Sequence, residues 1–123
     1  MQKDSFTGKV IGCAIEVHRR LSPGLLESTY QQCLARELYL NGIGFKLEHP
    51  LPVEYKGVQL DCGYRIDILA ENRLIIELKA IEKITGIHRA QLLTYMKLSG
   101  IDTGLLINFN VERLKDGIHR FKI

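Results

Sequence analysis

The sequence has few of the features that mark a secreted, zinc-binding or membrane protein. Its three cysteines, Cys13, Cys33 and Cys62, include no C-x-x-C pair, so a zinc site has little support. An odd number of cysteines, with no N-terminal apolar stretch long enough for secretion, favours a reducing cytosol. No apolar run approaches the length of a membrane span, so we expect a cytoplasmic protein with no membrane partner.

Linkers, repeats and low-complexity stretches are also absent, which favours a single domain over residues 1–123. Apolar residues make up 46% of the 123 residues and charged residues 25%, as is usual for a globular protein that buries a core without disulfides. The net charge of +3 permits nucleic acid as a partner without requiring it.

Two helices are predicted in the first third of the chain. Apolar residues recur at helical spacing as far as Leu21, so the first helix should start after Ser5 or Thr7. A break follows, in which Ser22 is placed to cap the next helix and Pro23 to occupy its first position. The second helix is predicted from about Leu25 to Leu40.

Beyond this point the apolar pattern changes to a period of two. Phe45–Glu48 alternates, but Pro50 and Pro52 exclude a central strand, so this piece is interpreted as an edge or a bend. A helix is predicted from Thr85 or Gly86 to about Leu98. The predicted strands are Val53–Tyr55, Val58–Leu60, Tyr64–Leu69, Leu74–Ala80, Gly104–Phe109 and His119–Ile123.

The predicted order is α-α-β-β-β-β-α-β-β, an α/β (α+β) fold with a mixed central sheet flanked by helices. A helix connects the hairpin at 64–80 to the apolar strand at 104–109. We therefore expect that strand to pair in parallel within the same sheet.

The chemistry is concentrated in the hairpin at 64–80. Alternate residues of a strand share a face, so Ile75, Glu77 and Lys79 are predicted to face away from the core. Pairing Asp67 opposite Glu77 leaves residues 71–73 as a three-residue loop, in which Asn72 best tolerates positive φ. A two-residue loop would place the carboxylates on opposite faces unless a bulge restored the register.

These charged residues allow two interpretations. On the two strands alone, a solvated face held by cross-strand charge pairs is the simpler one. The alternative is a metal site, because two neighbouring carboxylates repel each other until a divalent cation lies between them. Lys79 would then approach the attacking water or a phosphate oxygen, and the main-chain carbonyl of Leu78 is a further candidate ligand.

Asp67 followed by Glu77-Leu78-Lys79 resembles the D…(D/E)-x-K signature of the PD-(D/E)XK nucleases, although Ile66 replaces the proline before the aspartate. Gln91 and Tyr95, four residues apart on the following helix, resemble the Q-x-x-x-Y motif of the RecB-like branch.

Upstream, Gly24, Glu27 and Tyr30 resemble the defining motif of the GxxExxY protein family, a small bacterial and archaeal group usually placed among these nuclease folds. The resemblance extends over nearly the whole chain, from about Val10 to Lys122, and implies a restriction-endonuclease-like core that hydrolyses DNA or RNA with Mg²⁺ (or Mn²⁺).

Carried over by residue, the resemblance implies that Asp67 and Glu77 bind the metal, with Glu27 near it, and that Lys79 is the catalytic lysine. It also implies that Gln91 and Tyr95 contact substrate or support the site. His88 lies on the same helical face and joins them as a candidate substrate-binding residue.

Each of these residues also has a purely structural explanation. The helix dipole alone favours Glu27 in a first turn. Gln91 is an ordinary surface residue type, and a tyrosine such as Tyr95 is often a half-buried core aromatic. The whole chain has two further interpretations: a catalytically silent module that binds nucleic acid or a protein, and a homodimer that pairs through its last strand.

Overall fold

The computed structural model describes residues 4–123. Its three helices are α1 (Ser5–Leu21), α2 (Glu27–Leu40) and α3 (Gly86–Ser99), with a short 3₁₀ helix at Leu114–Gly117. Its strands are β1 (Phe45–Pro50), β2 (Val53–Tyr55), β3 (Val58–Leu60), β4 (Arg65–Ala70), β5 (Leu74–Lys79), β6 (Thr103–Asn108) and β7 (Ile118–Lys122).

The central sheet has five strands in the order β1-β4-β5-β6-β7, and β2 and β3 form a separate two-stranded hairpin. Only the β5–β6 pair is parallel, which confirms the predicted mixed sheet and the crossover through α3. The predicted element order is one strand short. Phe45–Pro50 is a full strand at the sheet edge, where Pro50 ends the strand and is tolerated.

Asp4 fixes the start of α1. Its Oδ1 accepts the main-chain N–H groups of Phe6 and Thr7 at 3.0 and 3.2 Å, and its Oδ2 accepts the Thr7 hydroxyl at 2.6 Å. These hydrogen bonds lower the pKa of the Asp4 carboxyl, and the bond from the Thr7 hydroxyl has the largest effect. The helix therefore starts at Ser5 with a charged cap at the positive end of its dipole.

The link between the first two helices differs from the prediction. Ser22 ends α1, with φ of 65° and its N–H donated to His18 O at 2.8 Å, and it does not cap α2. Helix α2 begins later than predicted, at Glu27 with Leu26 in the cap position. The helix starts later in the chain because the Tyr30 hydroxyl binds the linking loop.

Both faces of the sheet are covered. One apolar core lies between the sheet and helices α1 and α2, and it contains Ile68, Ile76 and Leu78. A second core lies under α3 and contains Leu69 and Ile75. The prediction that Ile75 faces away from the core was therefore wrong, because α3 packs on that face and encloses it.

The hairpin between β4 and β5 has the predicted register. Ile68 pairs with Ile76 and Ala70 with Leu74, so residues 71–73 form the three-residue loop. The paired ladder ends at Ile68 and Ile76, and the same register continued by one residue would bring Asp67 opposite Glu77. Asn72 has the expected positive φ, of 55°, and Glu71 shares it at 53°. The Glu71 carboxylate accepts the N–H of Gly44, which ties this loop to the start of β1.

Candidate active site

Asp67 and Glu77 link the two central strands at the point where the regular ladder stops. Glu77 Oε2 accepts the main-chain N–H of Asp67 at 2.9 Å, and Asp67 Oδ2 accepts the main-chain N–H of Leu78 at 2.9 Å. Each carboxylate thus binds the backbone of the opposite strand. The two side chains are held next to each other by the hairpin register and by these two hydrogen bonds.

The two carboxylates lie in a poorly solvated place. Glu77 is only 5% exposed, and burial, followed by the charge of Asp67, raises its pKa to about 8. Burial also raises the pKa of Asp67, and the charges of Glu48 and Glu27 add to this effect. None of the ion pairs among residues 4–123 includes Asp67 or Glu77. Within the described residues the two carboxyls therefore have no close cationic partner, and the raised pKa favours the protonated form of Glu77 near neutral pH.

Lys79 stands two residues beyond Glu77, at the end of β5. Its positive charge lowers the pKa values of Asp67 and Glu77, which shows that its ammonium acts on both carboxylates without forming a close ion pair. Its main-chain carbonyl accepts the N–H of Phe109 at 2.9 Å, and it pairs with Asn108 of β6. The parallel neighbour strand thus anchors the backbone that carries the lysine.

Glu27 reaches the same place from α2. A pocket of about 300 Å³ between α2 and the sheet is lined by Glu27, Glu48, Asp67 and Leu78, together with Ser28 and Gln31. Helix α2 starts at Glu27, so the position of this carboxylate depends on where the preceding loop ends.

Tyr30 controls that loop. The buried hydroxyl donates to the carbonyl of Ser22 at 2.6 Å and accepts the N–H of Leu25 at 3.1 Å, while the ring stacks on Phe109 at 4.5 Å. Gly24 has φ of 103°, which side-chain-bearing residues rarely adopt. Gly24 and Tyr30 together shape the loop that delivers Glu27 to the pocket.

The model of the PD-(D/E)XK nuclease superfamily matches residues 4–121. The chain belongs to this superfamily. Its five-stranded mixed sheet, flanked by helices on both faces, is consistent with the fold of that superfamily. No curated protein and no solved structure matches the chain.

The acidic pocket also contains Glu48, from β1, which was not among the site residues predicted from the sequence. Gln31 Nε2 donates to Glu48 Oε2 at 2.7 Å and to the carbonyl of Asp67 at 2.9 Å, so one amide holds both residues together. The pairs on either side place Glu48 level with Asp67 on the neighbouring strand. The alternation of Phe45–Glu48 is compatible with an edge strand but does not show which strand lies beside it, so the pairing with β4 was needed to place Glu48.

The donor set is suited to a hard divalent cation. The side-chain oxygens that line the pocket with Asp67 are the carboxylates of Glu27 and Glu48, the amide oxygen of Gln31 and the hydroxyl of Ser28, and Leu78 lines the same pocket. Among residues 4–123, no three His, Cys, Asp or Glu side chains are arranged as a ready-made metal cluster. That arrangement is compatible with Mg²⁺, which commonly takes only one or two carboxylates and keeps several waters.

The PD-(D/E)XK-like residues of α3 lie in a different cavity. Gln91, Tyr95 and His88 line an apolar space of about 640 Å³ between α3 and the β2–β3 hairpin. Gln91 Nε2 donates to the Tyr95 hydroxyl at 3.1 Å. Burial raises the pKa of Tyr95, and the charges of Glu77 and Asp67 contribute, so this cavity adjoins the carboxylates without merging with the acidic pocket.

Proposed function

We propose that this chain is a divalent-metal-dependent nuclease that hydrolyses phosphodiester bonds of DNA or RNA. The observation that carries the proposal is the pair of carboxyls of Asp67 and Glu77, held together by hydrogen bonds from the backbone of the opposite strand. Glu77 is buried and Asp67 half-buried, both pKa values are raised, and the charge of Lys79 acts on both. A solvated hairpin face would leave these carboxylates in water, whereas both strands are covered here.

Asp67 and Glu77 would hold Mg²⁺ or Mn²⁺. Asp67, Glu27 and Leu78 line the acidic pocket, where Glu27 and the Leu78 carbonyl would be further oxygen donors. Glu77 does not line that pocket and would reach the ion from its position beside Asp67. When bound, such a cation polarises a phosphate oxygen and lowers the pKa of a water molecule. The carboxylates fix its position, because their backbone hydrogen bonds orient both side chains.

Lys79 orients the attacking water or stabilises the negative charge that develops on the phosphate. Its backbone is fixed by β6, so its ammonium can serve this role without a large conformational change. Gln91 and Tyr95 support the site or contact substrate from the adjoining cavity, with His88 beside them.

Within the superfamily we infer membership of the GxxExxY family and of the RecB-like branch. The support for the first is the arrangement of Gly24, Glu27 and Tyr30, in which the glycine and the tyrosine shape the loop before the glutamate. The support for the second is the Gln91–Tyr95 hydrogen bond on the helix that follows the Glu77-x-Lys79 strand.

Cleavage of labelled single-stranded and duplex DNA and RNA in Mg²⁺ and in Mn²⁺ tests the proposal. We expect Lys79→Ala to lower the rate by about 10²–10³-fold, as loss of one charge-stabilising group does elsewhere. Glu77→Ala should abolish metal-dependent cutting. Glu54→Ala, which changes an exposed carboxylate of β2, is the matched control and should cut like the wild type.

A chain that cuts none of these substrates in either metal would be a catalytically silent module that binds nucleic acid or a protein. Salt-dependent binding without cutting would identify the nucleic-acid form. The homodimer stays a prediction, for which β7 supplies a strand at the sheet edge, and a monomer in light scattering would remove it.

A further inference from the structure

The cavity beside α3 differs in character from the acidic pocket. Its walls are mainly apolar side chains, among them Val53, Ile87 and Leu98, and its volume of about 640 Å³ is in the range of ligand-binding sites. Ile87 is 74% exposed on the rim. The apolar lining of this cavity therefore requires an explanation separate from that of the acidic pocket.

One wall of the cavity is aromatic. Tyr64 lines the space and leaves 45% of its surface exposed, and its ring meets Tyr95 edge-on with centroids 6.0 Å apart. Tyr95 is buried beneath it. A half-exposed ring held in place by a second ring is a platform on which a flat group can stack.

A few polar groups converge on the same space. His88 Nδ1 accepts the N–H of Thr85 at 3.0 Å, so a neutral ring carries its proton on Nε2. The Gln91 amide and the Thr94 hydroxyl also line the cavity. Apolar walls with a small set of hydrogen-bonding groups match the two sides of a nucleobase, an apolar face and a polar edge.

The charge of the surrounding helix suits a polyanion. Helix α3 contains Arg89 and Lys97 and no aspartate or glutamate. Arg65, on the strand next to Tyr64, is a partly exposed cation that pairs with Asp61 at 3.5 Å. Arg65, Arg89 and Lys97 do not line the cavity, so they would attract a phosphodiester chain toward α3 without contacting a base inside. The charges of Glu77 and Asp67 act on Tyr95, which places the cavity beside the carboxylates.

We propose that this cavity holds an unstacked base of a single-stranded nucleic acid, with the base on Tyr64 and its edge near Gln91, Thr94 and His88. The inference rests on the proposed nuclease function and names its substrate class. Bases of an intact duplex are paired and stacked, so only a single strand or an extruded base can enter.

Binding in EDTA, where no strand is cut, tests the inference separately from catalysis. Fluorescence anisotropy would compare single-stranded DNA, single-stranded RNA and blunt duplex DNA against wild type, Tyr64→Leu and Ile87→Glu. Tyr64→Leu keeps the apolar volume and removes the ring, and Ile87→Glu places a carboxylate on an exposed rim position where folding is not at risk. Tyr39→Leu and Leu40→Glu, on exposed sites of α2, are the matched controls.

We expect single strands to bind more tightly than duplex, and Tyr64→Leu to weaken single-strand binding by about 5- to 150-fold, the effect of losing one stacked base. Ile87→Glu should weaken it as well, and both controls should bind like wild type. A 2-aminopurine base in the strand should change its fluorescence with wild type but not with Tyr64→Leu.

Equal single-strand affinity for wild type, Tyr64→Leu and Ile87→Glu would overturn the inference and leave the cavity to an apolar side chain of a protein partner. Wild-type cutting in Mg²⁺ alongside that result would keep the proposed function and reject only the base site. Tyr64-dependent binding with no cutting in either metal would reject the nuclease and keep the base site.

Discussion

Glu77 destabilises the fold when its carboxylate is charged. It is buried beside Asp67, and a buried carboxylate without a cationic partner disfavours its charged form. The hydrogen bond from the main-chain N–H of Asp67 offsets part of this cost, and a cation bound to both carboxylates would offset more of it. The cost is therefore consistent with the proposed role of Glu77 in binding a cation.

This cost predicts that the free energy of unfolding depends on pH. The pKa of Glu77 is about 8 in the folded chain and 4.5 as its ordinary value, so the folded state holds a proton that the unfolded state releases between these limits. The contribution of Glu77 is fully present below pH 4.5 and is lost as pH rises through about 8, because the unfolded state binds fewer protons there.

We therefore expect Glu77→Gln to match wild type near pH 5 and to be more stable at pH 9 by a few kcal/mol, since each pH decade between the two pKa values contributes about 1.4 kcal/mol. Gln keeps an oxygen that accepts the Asp67 N–H. Urea unfolding without metal measures this difference in the free energy of unfolding, with Glu54→Gln as the control. The same pH slope in Glu77→Gln and wild type would contradict the assignment.

At the scale of elements, the loop between α1 and α2 determines the position of Glu27 in the candidate site. Its conformation depends on the Tyr30 hydroxyl, which holds Ser22 and Leu25, and Glu27 begins the helix directly afterwards. The residues of the motif thus have two roles. Gly24 and Tyr30 shape the loop, and Glu27 is the side chain that the loop places at the acidic pocket.

Tyr30→Phe tests whether the conformation of the loop depends on the Tyr30 hydroxyl. It removes two hydrogen bonds of a buried hydroxyl and keeps the ring stacked on Phe109, so we expect a loss of about 1–3 kcal/mol in the free energy of unfolding. Metal-dependent cutting should fall with it, because Glu27 loses its fixed position. Urea unfolding and cleavage assays measure both effects.

Tyr39→Phe is the matched control, because Tyr39 lies on the same helix with its side chain mostly exposed. It should leave stability and cutting unchanged. If Tyr30→Phe behaved like Tyr39→Phe, the loop would not depend on the hydroxyl.

The secondary-structure elements differ in how well they could be predicted from the sequence. The β4–β5 register was predictable, because only an odd loop places Asp67 and Glu77 on one face. Phe45–Pro50 was left open as an edge or a bend, since Pro50 and Pro52 follow its alternating residues, and the structure shows it as a paired edge strand. The separate cavity of Gln91 and Tyr95 could not be predicted, because the spacing of a helix fixes which residues share a face but not what that face packs against.

For the whole molecule, the site joins three parts of the chain that are far apart in sequence: α2, the edge strand β1 and the β4–β5 hairpin. A cation bound there would link these parts and would bind only the folded chain. Among residues 4–123, no helix is long and apolar enough to cross a membrane.

Metal binding should therefore stabilise the whole fold. At a Mn²⁺ or Mg²⁺ concentration about 100 times its Kd, linkage predicts about 2.7 kcal/mol, which for a chain of 123 residues raises Tm by about 10 °C. The increase should be larger at pH 8 than at pH 6, because Glu77 must release its proton to bind the ion.

Differential scanning fluorimetry with and without metal measures this shift. The double variant Asp67→Asn, Glu77→Gln should lose the shift while remaining folded, because both amides keep an oxygen that accepts the backbone N–H groups. Glu54→Gln should keep it. An equal shift in the double variant would mean that the cation binds elsewhere, and the carboxylates of the hairpin would then need another explanation than metal binding.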